Sequence, residues 1–353
     1  MAGPDPRGEQ MTPPIRPRSH RTHRRRSLAA GSVGVVLVAG LGAAGTGSAQ
    51  AAGPVRADDG ARITAEKKVG PRTVDITIAS PALGKSVKTR LLLPANWRRG
   101  AAGRWPVLYA FHGGRDNYTA WTGKTDIEAW AARYNVLVVM PEGENGSYTD
   151  WYNYGKGGTP RWETFHTAEV RQLVERNYGA GARRAALGIS SGGAGAMAYA
   201  ARHQGMFKHV ASLSGVLSMR SVGIPAMLMF INAGIGQDPF AIWGIPGVDD
   251  ANWAAHDPYA LAPGLRGTRI FFSTGTTGRP GPGDPDVPPW DAGLLGEAAA
   301  GASNKDFQRR LDGLKIPYTA HFYGDGRHNW PAWTREAAFI WPALMKSIDA
   351  RRV

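Results

Sequence analysis

The amino-acid sequence predicts an α/β fold in which a mostly parallel central sheet is covered by helices on both faces. Short apolar runs such as residues 107–111 and 136–140 recur along the chain. They lack the polar alternation of a half-exposed strand, which is typical of parallel strands buried on both sides. Helix-like stretches such as residues 126–133 separate them. This alternation indicates a parallel sheet that binds its ligands at the carboxyl ends of the strands.

The remaining elements can be assigned in order along the chain. Residues 73–80 and 87–93 alternate polar and apolar side chains, which predicts two early antiparallel strands. Further buried strands are predicted at residues 185–189, 210–213, 270–273 and 318–323, and longer helices at residues 164–176 and 193–203. Residues 278–289 are rich in proline and glycine and predict a surface loop. Because the chain shows neither an internal repeat nor a second core, we expect one domain over residues 52–353.

The composition excludes several classes of protein. With 353 residues, 42% of them hydrophobic, and 12 tryptophans, the chain is not largely disordered. It has no cysteine, which excludes disulfides, thiolate metal sites and a cysteine nucleophile. Its formal charge of +14 would favour nucleic acid as a partner only if the basic residues were clustered. Beyond residue 51 they occur as scattered pairs, such as Arg183-Arg184 and Arg351-Arg352. We therefore expect an ordinary solvated surface and no nucleic-acid partner.

Residues 1–51 predict a secretory signal peptide. Seven arginines precede an apolar run at residues 28–45, and small residues follow as far as Ala51, the typical order of basic region, apolar region and cleavage site. The run Arg24-Arg25-Arg26 also fits a twin-arginine signal. Export by the Sec route and export by the twin-arginine route therefore both stay open. The alternative is a membrane anchor, since the run approaches the ~20 residues that span a bilayer. Its glycines and the cleavage site favour removal, which predicts a secreted or cell-wall protein without an integral anchor.

The motif Gly188-Ile189-Ser190-Ser191-Gly192 has the form G-x-S-x-G. It directly follows an apolar strand and directly precedes a helix of small residues, which is the context of a nucleophile elbow. The glycines permit a sharp turn that exposes Ser190 Oγ, and the N–H of Ser191 then points at a developing oxyanion. The alternative is a tight turn with a solvated serine. The flanking strand and helix favour the elbow and predict an α/β-hydrolase fold.

A serine hydroxyl is a weak nucleophile and needs a general base. In this fold the chain order is serine, acid, histidine. His328 lies in a glycine-rich loop after the last predicted strand, so it is the predicted base. The acid should follow the strand at residues 270–273, where chemistry alone does not choose among Asp284, Asp286, Asp291 and Glu297.

The second oxyanion donor is expected in the loop after residues 107–111, which reads His112-Gly113-Gly114-Arg115. Loops of this type supply a backbone N–H to the oxyanion, and we predict that Gly114 donates it together with Ser191. His112 precedes the serine in the chain, so the order of the triad excludes it as the catalytic base.

Several short sequence motifs outside the elbow also occur in a known protein family. They are YTDWY at residues 148–152, WETF at 162–165, SLS at 212–214, IWG at 242–244 and HNWPAW at 328–333. With them the chain resembles the secreted mycolyltransferases of actinobacteria, the antigen 85 proteins. These belong to a broader esterase family that includes S-formylglutathione hydrolases and feruloyl esterases. The final run is similar to the family's H-S-W-x-x-W, and the resemblance extends from about residue 107 to 333.

The resemblance implies that Glu297 is the triad acid, with Asp291 as the alternative. The family's catalytic glutamate lies ten residues before the phenylalanine of an S-N-x-x-F segment, which here ends at Phe307. Glu297 occupies that position.

The resemblance also implies substrate contacts. Arg115 and Trp330 match acceptor-site positions of the family, whereas His112 stands at a third such position where the family usually has aspartate. Thr274 stands where the mycobacterial enzymes carry a cysteine beside the triad. These departures concern the acceptor and the acyl group and leave the acyl chemistry in place.

The sequence therefore predicts a secreted serine enzyme that cleaves lipid or glycolipid esters through an acyl-serine. The acyl group would pass to an alcohol, such as a sugar or glycerol, or to water. A plain extracellular carboxylesterase is the first alternative and a non-catalytic surface-binding protein the second. Neither a cofactor nor a metal is expected. The apolar segment at residues 224–243 either lines an acyl groove or packs as a helix on the core.

Overall fold

The strands form one mixed sheet. A computed structural model describes residues 54–100 and 104–353. The strands of these residues are β1 (Arg62–Lys68), β2 (Thr73–Ser80), β3 (Lys85–Leu92), β4 (Trp105–Phe111), β5 (Leu137–Pro141), β6 (Ala180–Ile189), β7 (His209–Leu213), β8 (Arg269–Gly275) and β9 (Thr319–Gly324). Their order in the sheet is β1-β2-β3-β5-β4-β6-β7-β8-β9. Neighbours from β1 to β5 pair antiparallel, and those from β5 to β9 pair parallel.

Helices connect the strands and cover the sheet. In the described residues the α-helices are α1 (Ala120–Lys124), α2 (Ile127–Ala132), α3 (Trp162–Thr164), α4 (Arg171–Tyr178), α5 (Ser191–Arg202), α6 (Ile224–Gly234), α7 (Pro239–Trp243), α8 (Asp250–His256), α9 (Pro258–Leu261), α10 (Ala292–Leu314) and α11 (Trp330–Ser347). A π-helical turn, Phe165–Val170, joins α3 to α4, and 3₁₀ turns lie at Asn153–Gly155 and Ala262–Leu265.

The two faces of the sheet bury separate cores, as the alternation of side chains along a strand requires. In β4, Tyr109 and Phe111 point into a core shared with α4, α5 and α10. Leu108 and Ala110 of the same strand point into a core formed with α1, α2 and α11. Every residue of β5 and β7 is buried, which explains why their sequences do not alternate. The predicted α/β-hydrolase fold is confirmed.

The predicted strands are all present, and two elements differ from expectation. Strand β1 was not predicted because four of its seven residues are charged and six are exposed. It is an edge strand held by backbone pairing with β2, and charged side chains are typical of a protected sheet edge. The helix expected at residues 164–176 is interrupted by the π-helical turn. The predicted signal peptide lies outside the described residues.

The apolar segment at residues 224–243 forms α6 and α7. In α6 only Ile224 and Asn232 are buried, and Phe230 is 80% exposed, so this helix does not pack as a core helix. In α7, by contrast, Ile242 and Trp243 are buried in a small cluster with Trp253. Within the described residues no helix is both long and apolar enough to cross a membrane.

Candidate active site

Ser190 occupies the sharp turn between β6 and α5. Its backbone has φ 51° and ψ −124°, a conformation that non-glycine residues seldom adopt. A Cβ atom at Gly188 would lie 2.1 Å from the carbonyl oxygen of Gly192, and one at Gly192 would lie 2.3 Å from that of His112. Both contacts are with backbone, so side chains there would force the turn open. The two flanking glycines of the motif are therefore required by close approach of the chain.

His328 lies in the loop between β9 and α11 and reaches the serine. Its Nε2 atom is 2.8 Å from Ser190 Oγ. The ring packs edge-on against Trp333, with the centroids 5.0 Å apart. The preceding Arg327 forms a two-fold ion pair with Asp291, at 2.7 and 3.0 Å, which anchors the loop on α10. The orientation of the imidazole is thus fixed from two sides.

Glu297 supplies the carboxylate that faces this imidazole. It lies in the second turn of α10, and its Oε2 atom is 2.8 Å from His328 Nδ1. Asp291 instead caps the start of the same helix, where Oδ1 accepts hydrogen bonds from the N–H groups of Gly293 and Leu294. Asp284 accepts hydrogen bonds from Gly281 and from the Asn329 side chain. Of the carboxylates weighed from the sequence, Glu297 is the one that meets His328.

The other oxygen of Glu297 accepts four hydrogen bonds. Oε1 lies 2.7 Å from Gly275 N, 2.8 Å from Ser214 Oγ, 3.0 Å from Thr274 Oγ1 and 2.6 Å from the Tyr323 hydroxyl. The carboxylate is fully buried. Burial raises its pKa, but the bonds from His328, Tyr323 and the Gly275 N–H lower it more, so the pKa falls below its usual 4.5. Glu297 therefore stays ionised at neutral pH.

Sequence reasoning missed Ser214 and Tyr323 and noted Thr274 only as a departure from the family. One signal would have found them. They lie where the parallel strands β7, β8 and β9 reach their carboxyl ends, the edge at which α/β sheets place functional side chains. Burial and the nearby charge of Glu297 raise the pKa of Tyr323, so it stays a neutral donor. Trp333 Nε1 in turn donates to Ser214 Oγ at 3.0 Å.

The two predicted oxyanion donors are Ser191, next to Ser190 in the chain, and Gly114, whose neighbour Gly113 approaches Ser190 so closely that a Cβ there would lie 3.1 Å from Ser190 Cβ. Ser191 is the first residue of α5, so its N–H has no partner within the helix. The N–H of Gly114 has no protein acceptor among the described residues. The next residue, Arg115, has φ 64° and donates its own N–H to Asn145 Oδ1 at 2.8 Å. Asn145 therefore fixes the loop that carries Gly114, a contribution the sequence did not reveal.

His112 does not occupy the position expected of a substrate contact. Its side chain is 1% exposed, with Nε2 3.1 Å from Glu142 Oε1 and Nδ1 2.8 Å from the Gly113 carbonyl oxygen. The Tyr148 hydroxyl donates to the His112 carbonyl oxygen at 2.8 Å. The expected direct contact with substrate is corrected: the ring is enclosed behind the oxyanion loop and supports its backbone.

Arg115 and Trp330 lie at the rim of the site. Arg115 is exposed and Trp330 half-buried. The indole N–H of Trp330 donates to Asp116 Oδ2 at 3.0 Å, and Lys124 Nζ lies 2.8 Å from Asp116 Oδ1. Asp116, which sequence reasoning did not select, thus connects the loop that carries His328 to the loop at residues 112–115.

Over residues 54–100 and 104–353, no group of three or more metal-ligating side chains is arranged to hold a metal ion.

Comparison with known proteins identifies the family. Residues 80–340 match the Esterase family. The chain belongs to this family. The diacylglycerol acyltransferase/mycolyltransferase Ag85A of Mycobacterium ulcerans is 30% identical over 347 residues, which cover 94% of this chain and 95% of that protein. An esterase of Mycobacterium tuberculosis is also 30% identical, over 281 residues, or 74% of this chain. This esterase-family chain spans only 57% of that relative's length.

Solved structures agree with this assignment. Mycobacterium tuberculosis MPT51 (FbpC1) superposes with a TM-score of 0.62 at 25% identity, over 77% of this chain and 97% of its own. An S-formylglutathione hydrolase from Agrobacterium tumefaciens, 16% identical, has the same fold with a TM-score of 0.59, over 82% and 99% of the two chains. The predicted resemblance to antigen 85 proteins is confirmed.

The close approach at the elbow makes Gly192→Ala a test of the site's geometry. The added Cβ would meet the backbone of residues 111 and 112 within 2.9 Å. We expect ester turnover to fall by about a hundredfold, because displacements of ~1 Å in an active site cost this much. The matched control is Gly313→Ala in α10, where a Cβ meets nothing within 4 Å. Hydrolysis of p-nitrophenyl acetate measures both, and unchanged turnover of Gly192→Ala would contradict a tight elbow.

The depressed pKa of Glu297 links the fold to pH. Its ionised form stabilises the fold above its usual pKa of 4.5, and the stabilisation is lost as the pH falls through the lower folded-state value. Tyr323→Phe removes one hydrogen bond to this charge, so we expect a loss of about 1–3 kcal/mol at neutral pH. The loss should shrink in acid, where Glu297 becomes protonated. Urea unfolding of both proteins, at neutral pH and at a pH below the folded-state pKa of Glu297, measures the loss of stability.

The control for this measurement is Tyr318→Phe. It removes a hydroxyl that lies 2.8 Å from Asp312 Oδ1 at the surface, where water replaces the lost contact. Its effect should be small in both neutral and acidic solution. A destabilisation by Tyr323→Phe that is the same in neutral and acidic solution would show that the hydroxyl does not act through the charge of Glu297.

Proposed function

We propose that Ser190, His328 and Glu297 form the catalytic triad of a two-step acyl transfer. The observation that carries the proposal is the continuous chain of two 2.8 Å contacts from Ser190 Oγ through both ring nitrogens of His328 to Glu297. Nucleophilic catalysis by a serine requires the base to lie within hydrogen-bond distance of the nucleophile, and the orienting carboxylate to lie within hydrogen-bond distance of the base.

In the first step, Ser190 Oγ attacks the carbonyl carbon of an ester while His328 Nε2 takes the hydroxyl proton. The oxyanion accepts hydrogen bonds from the N–H groups of Gly114 and Ser191, a contribution worth about 10²–10³ in turnover for one such donor. Glu297 accepts the Nδ1–H bond and stabilises the imidazolium. When the intermediate collapses, the ester C–O bond breaks and the leaving alcohol takes the proton from His328.

In the second step, water or an alcohol attacks the acyl-serine. His328 Nε2 takes the proton of the attacking hydroxyl, and the second tetrahedral intermediate again places its oxyanion at the two N–H groups. Its collapse breaks the bond to Ser190 Oγ, which regains a proton from His328. The product is a free acid with water and a new ester with an alcohol. The choice between them depends on which hydroxyl reaches the acyl-enzyme.

We propose a lipid ester as the acyl donor and a sugar or glycerol as the acceptor. A relative that covers nearly the whole chain is a diacylglycerol acyltransferase/mycolyltransferase, which supports this class. Helix α6 has no charged residue and exposes Phe230, which favours contact with an acyl chain. Arg115 and Trp330 at the rim offer a cation and an aromatic face to an acceptor.

We propose also that residues 1–51 direct export and are then removed.

A plain carboxylesterase is the second candidate function. It is favoured by the identity of 30% with an esterase that matches 74% of the chain. The same triad serves both reactions, so the exclusion of water from the acyl-enzyme distinguishes them.

Ser190→Ala tests the nucleophile. We expect turnover of p-nitrophenyl esters to fall by at least about a thousandfold, because the acyl-enzyme cannot form. A fluorophosphonate probe should add its mass to the unmodified protein at Ser190 and not to the variant. Ser86→Ala, at an exposed position on β3, is the matched control and should react normally. Full turnover by Ser190→Ala would overturn the proposed mechanism.

A series of acyl chain lengths, measured with and without trehalose and glycerol, tests substrate and acceptor. Acylated acceptor, detected by mass spectrometry, supports transfer, whereas free acid alone assigns the protein to the carboxylesterases. Phe230→Ser should lower kcat/KM for long-chain esters about tenfold and leave acetate unaffected, since burial of such a side chain is worth ~1.5–3 kcal/mol. Val69→Ser, an exposed apolar position after β1, is the control. Equal loss in both variants would remove α6 from the acyl site.

A further inference from the structure

A cavity lies at the end of the sheet opposite Ser190. It has a volume of about 720 Å³ and is lined by Tyr134, Arg183, Lys346, Asp349, Arg351 and Arg352, among other residues. Arg183 lies on β6, seven residues before Ser190, which at ~3.3 Å per residue places it roughly 23 Å from the nucleophile. The cavity therefore contributes nothing to the proposed acyl transfer.

The cavity has an excess of positive charge. Four of its side chains are cationic, and Asp349 is its one carboxylate. Asp349 is exposed and meets Arg183 at 3.5 Å, a loose contact that neutralises little. Lys346 and Arg351 have no ion-pair partner in the described part of the chain. Arg183 and the pair Arg351-Arg352 are scattered in the sequence, and the fold brings them together around this cavity.

The backbone that carries Arg351 and Arg352, residues 351–353, is anchored on the loop before β5. The N–H of Asn135 donates to the Arg351 carbonyl oxygen at 2.8 Å, and that of Val353 donates to the Arg133 carbonyl oxygen at 3.1 Å. The Arg352 guanidinium lies 5.7 Å from the centroid of the buried Tyr134 ring. A ligand therefore meets side chains on an anchored backbone, which lowers the entropy lost on binding.

Further cations continue from the cavity along the same edge of the sheet. Lys208 precedes β7, and Arg269 begins β8. The N–H of Lys208 donates to the Arg184 carbonyl oxygen at 2.7 Å, and that of Arg269 donates to the Lys208 carbonyl oxygen at 3.0 Å, so these residues lie side by side. Glu175 pairs with Arg184, whereas Lys208 and Arg269 are exposed. Lys208 and Arg269, at the amino ends of β7 and β8, thus continue the positively charged surface beyond the cavity.

We propose that this cavity is a binding site for a ligand with two or more linked phosphate groups. Guanidinium groups pair with phosphate oxygens through two parallel hydrogen bonds, and each phosphate can carry up to two negative charges. Four cations around one cavity exceed what a single carboxylate could neutralise. The volume of about 720 Å³ is also larger than one phosphate needs. The site is independent of the proposed catalytic function.

Calorimetric titration of the whole protein with pyrophosphate and with a short polyphosphate tests the site. We expect saturable binding that weakens as salt is added, because the attraction is between charges. Lys346→Ala/Arg351→Ala should weaken binding at least about tenfold, since it removes two cations that would donate charge-assisted hydrogen bonds to phosphate. Lys346→Glu should weaken it as well, without altering the C-terminal segment. Lys67→Ala/Lys68→Ala on β1 removes the same charge elsewhere and should bind normally.

Two further ligands distinguish the sources of phosphate. Vesicles of cardiolipin, whose headgroup links two phosphates through one glycerol, test a lipid source against vesicles of phosphatidylcholine, and sensitivity of their binding to Lys346→Glu would support the site with lipid as the source. Absence of binding to pyrophosphate, polyphosphate and these vesicles would overturn the proposal, as would an equal loss in the β1 control. Tighter binding of duplex DNA than of polyphosphate would replace it with a nucleic-acid surface. Ester turnover should be unchanged in all these variants.

Discussion

The buried negative charge of Glu297 is the constraint on which the proposed active site of this esterase-family protein depends. A carboxylate without access to water is costly unless its oxygens are hydrogen-bonded. Here one oxygen meets His328, and the other accepts hydrogen bonds from the ends of three successive parallel strands and from Gly275 N. The positions at which β7, β8 and β9 end are therefore fixed relative to α10. That arrangement leaves His328 a single orientation, and the orientation directs Nε2 at Ser190.

The serine is held by a different means, the close approach of backbone to backbone. Strand β6 turns into α5 against the loop after β4, and glycines are needed because carbonyl oxygens of residues 112 and 192 occupy the space of a side chain. The same contact brings the loop with Gly114 beside Ser190. His112 and Asn145 support that loop from behind, through Glu142 and through the N–H of Arg115. Hydrogen bonds to a buried charge thus position His328, the proposed base, and close backbone approach positions Ser190, the proposed nucleophile.

The sequence predicted the parts of this arrangement that have a local signature. Buried strands reveal themselves as unbroken apolar runs, and Ser190 and His328 lie in glycine-rich loops at strand ends. The choice of Glu297 over Asp291 needed the family resemblance, because both carboxylates follow β8 and only the course of α10 separates their roles. Tyr323 and Ser214 were missed because their function depends on contacts across 26 and 83 residues of chain. Strand β1 was missed because its stability comes from pairing with β2 rather than from its own side chains.

The same dependence on long-range contacts determines where the basic side chains come together. Arg183 and the pair Arg351-Arg352 look unrelated in the sequence, yet they lie around one cavity at the amino ends of the strands. The distance of roughly 23 Å along β6 to Ser190 exceeds the ~8–10 Å over which salt screens exposed charges. An anion bound by these cations, as proposed, would therefore leave the electrostatics around Ser190 unchanged. Placing them at the far edge of the sheet lets the protein be strongly basic while the charge balance between Glu297 and His328 stays undisturbed.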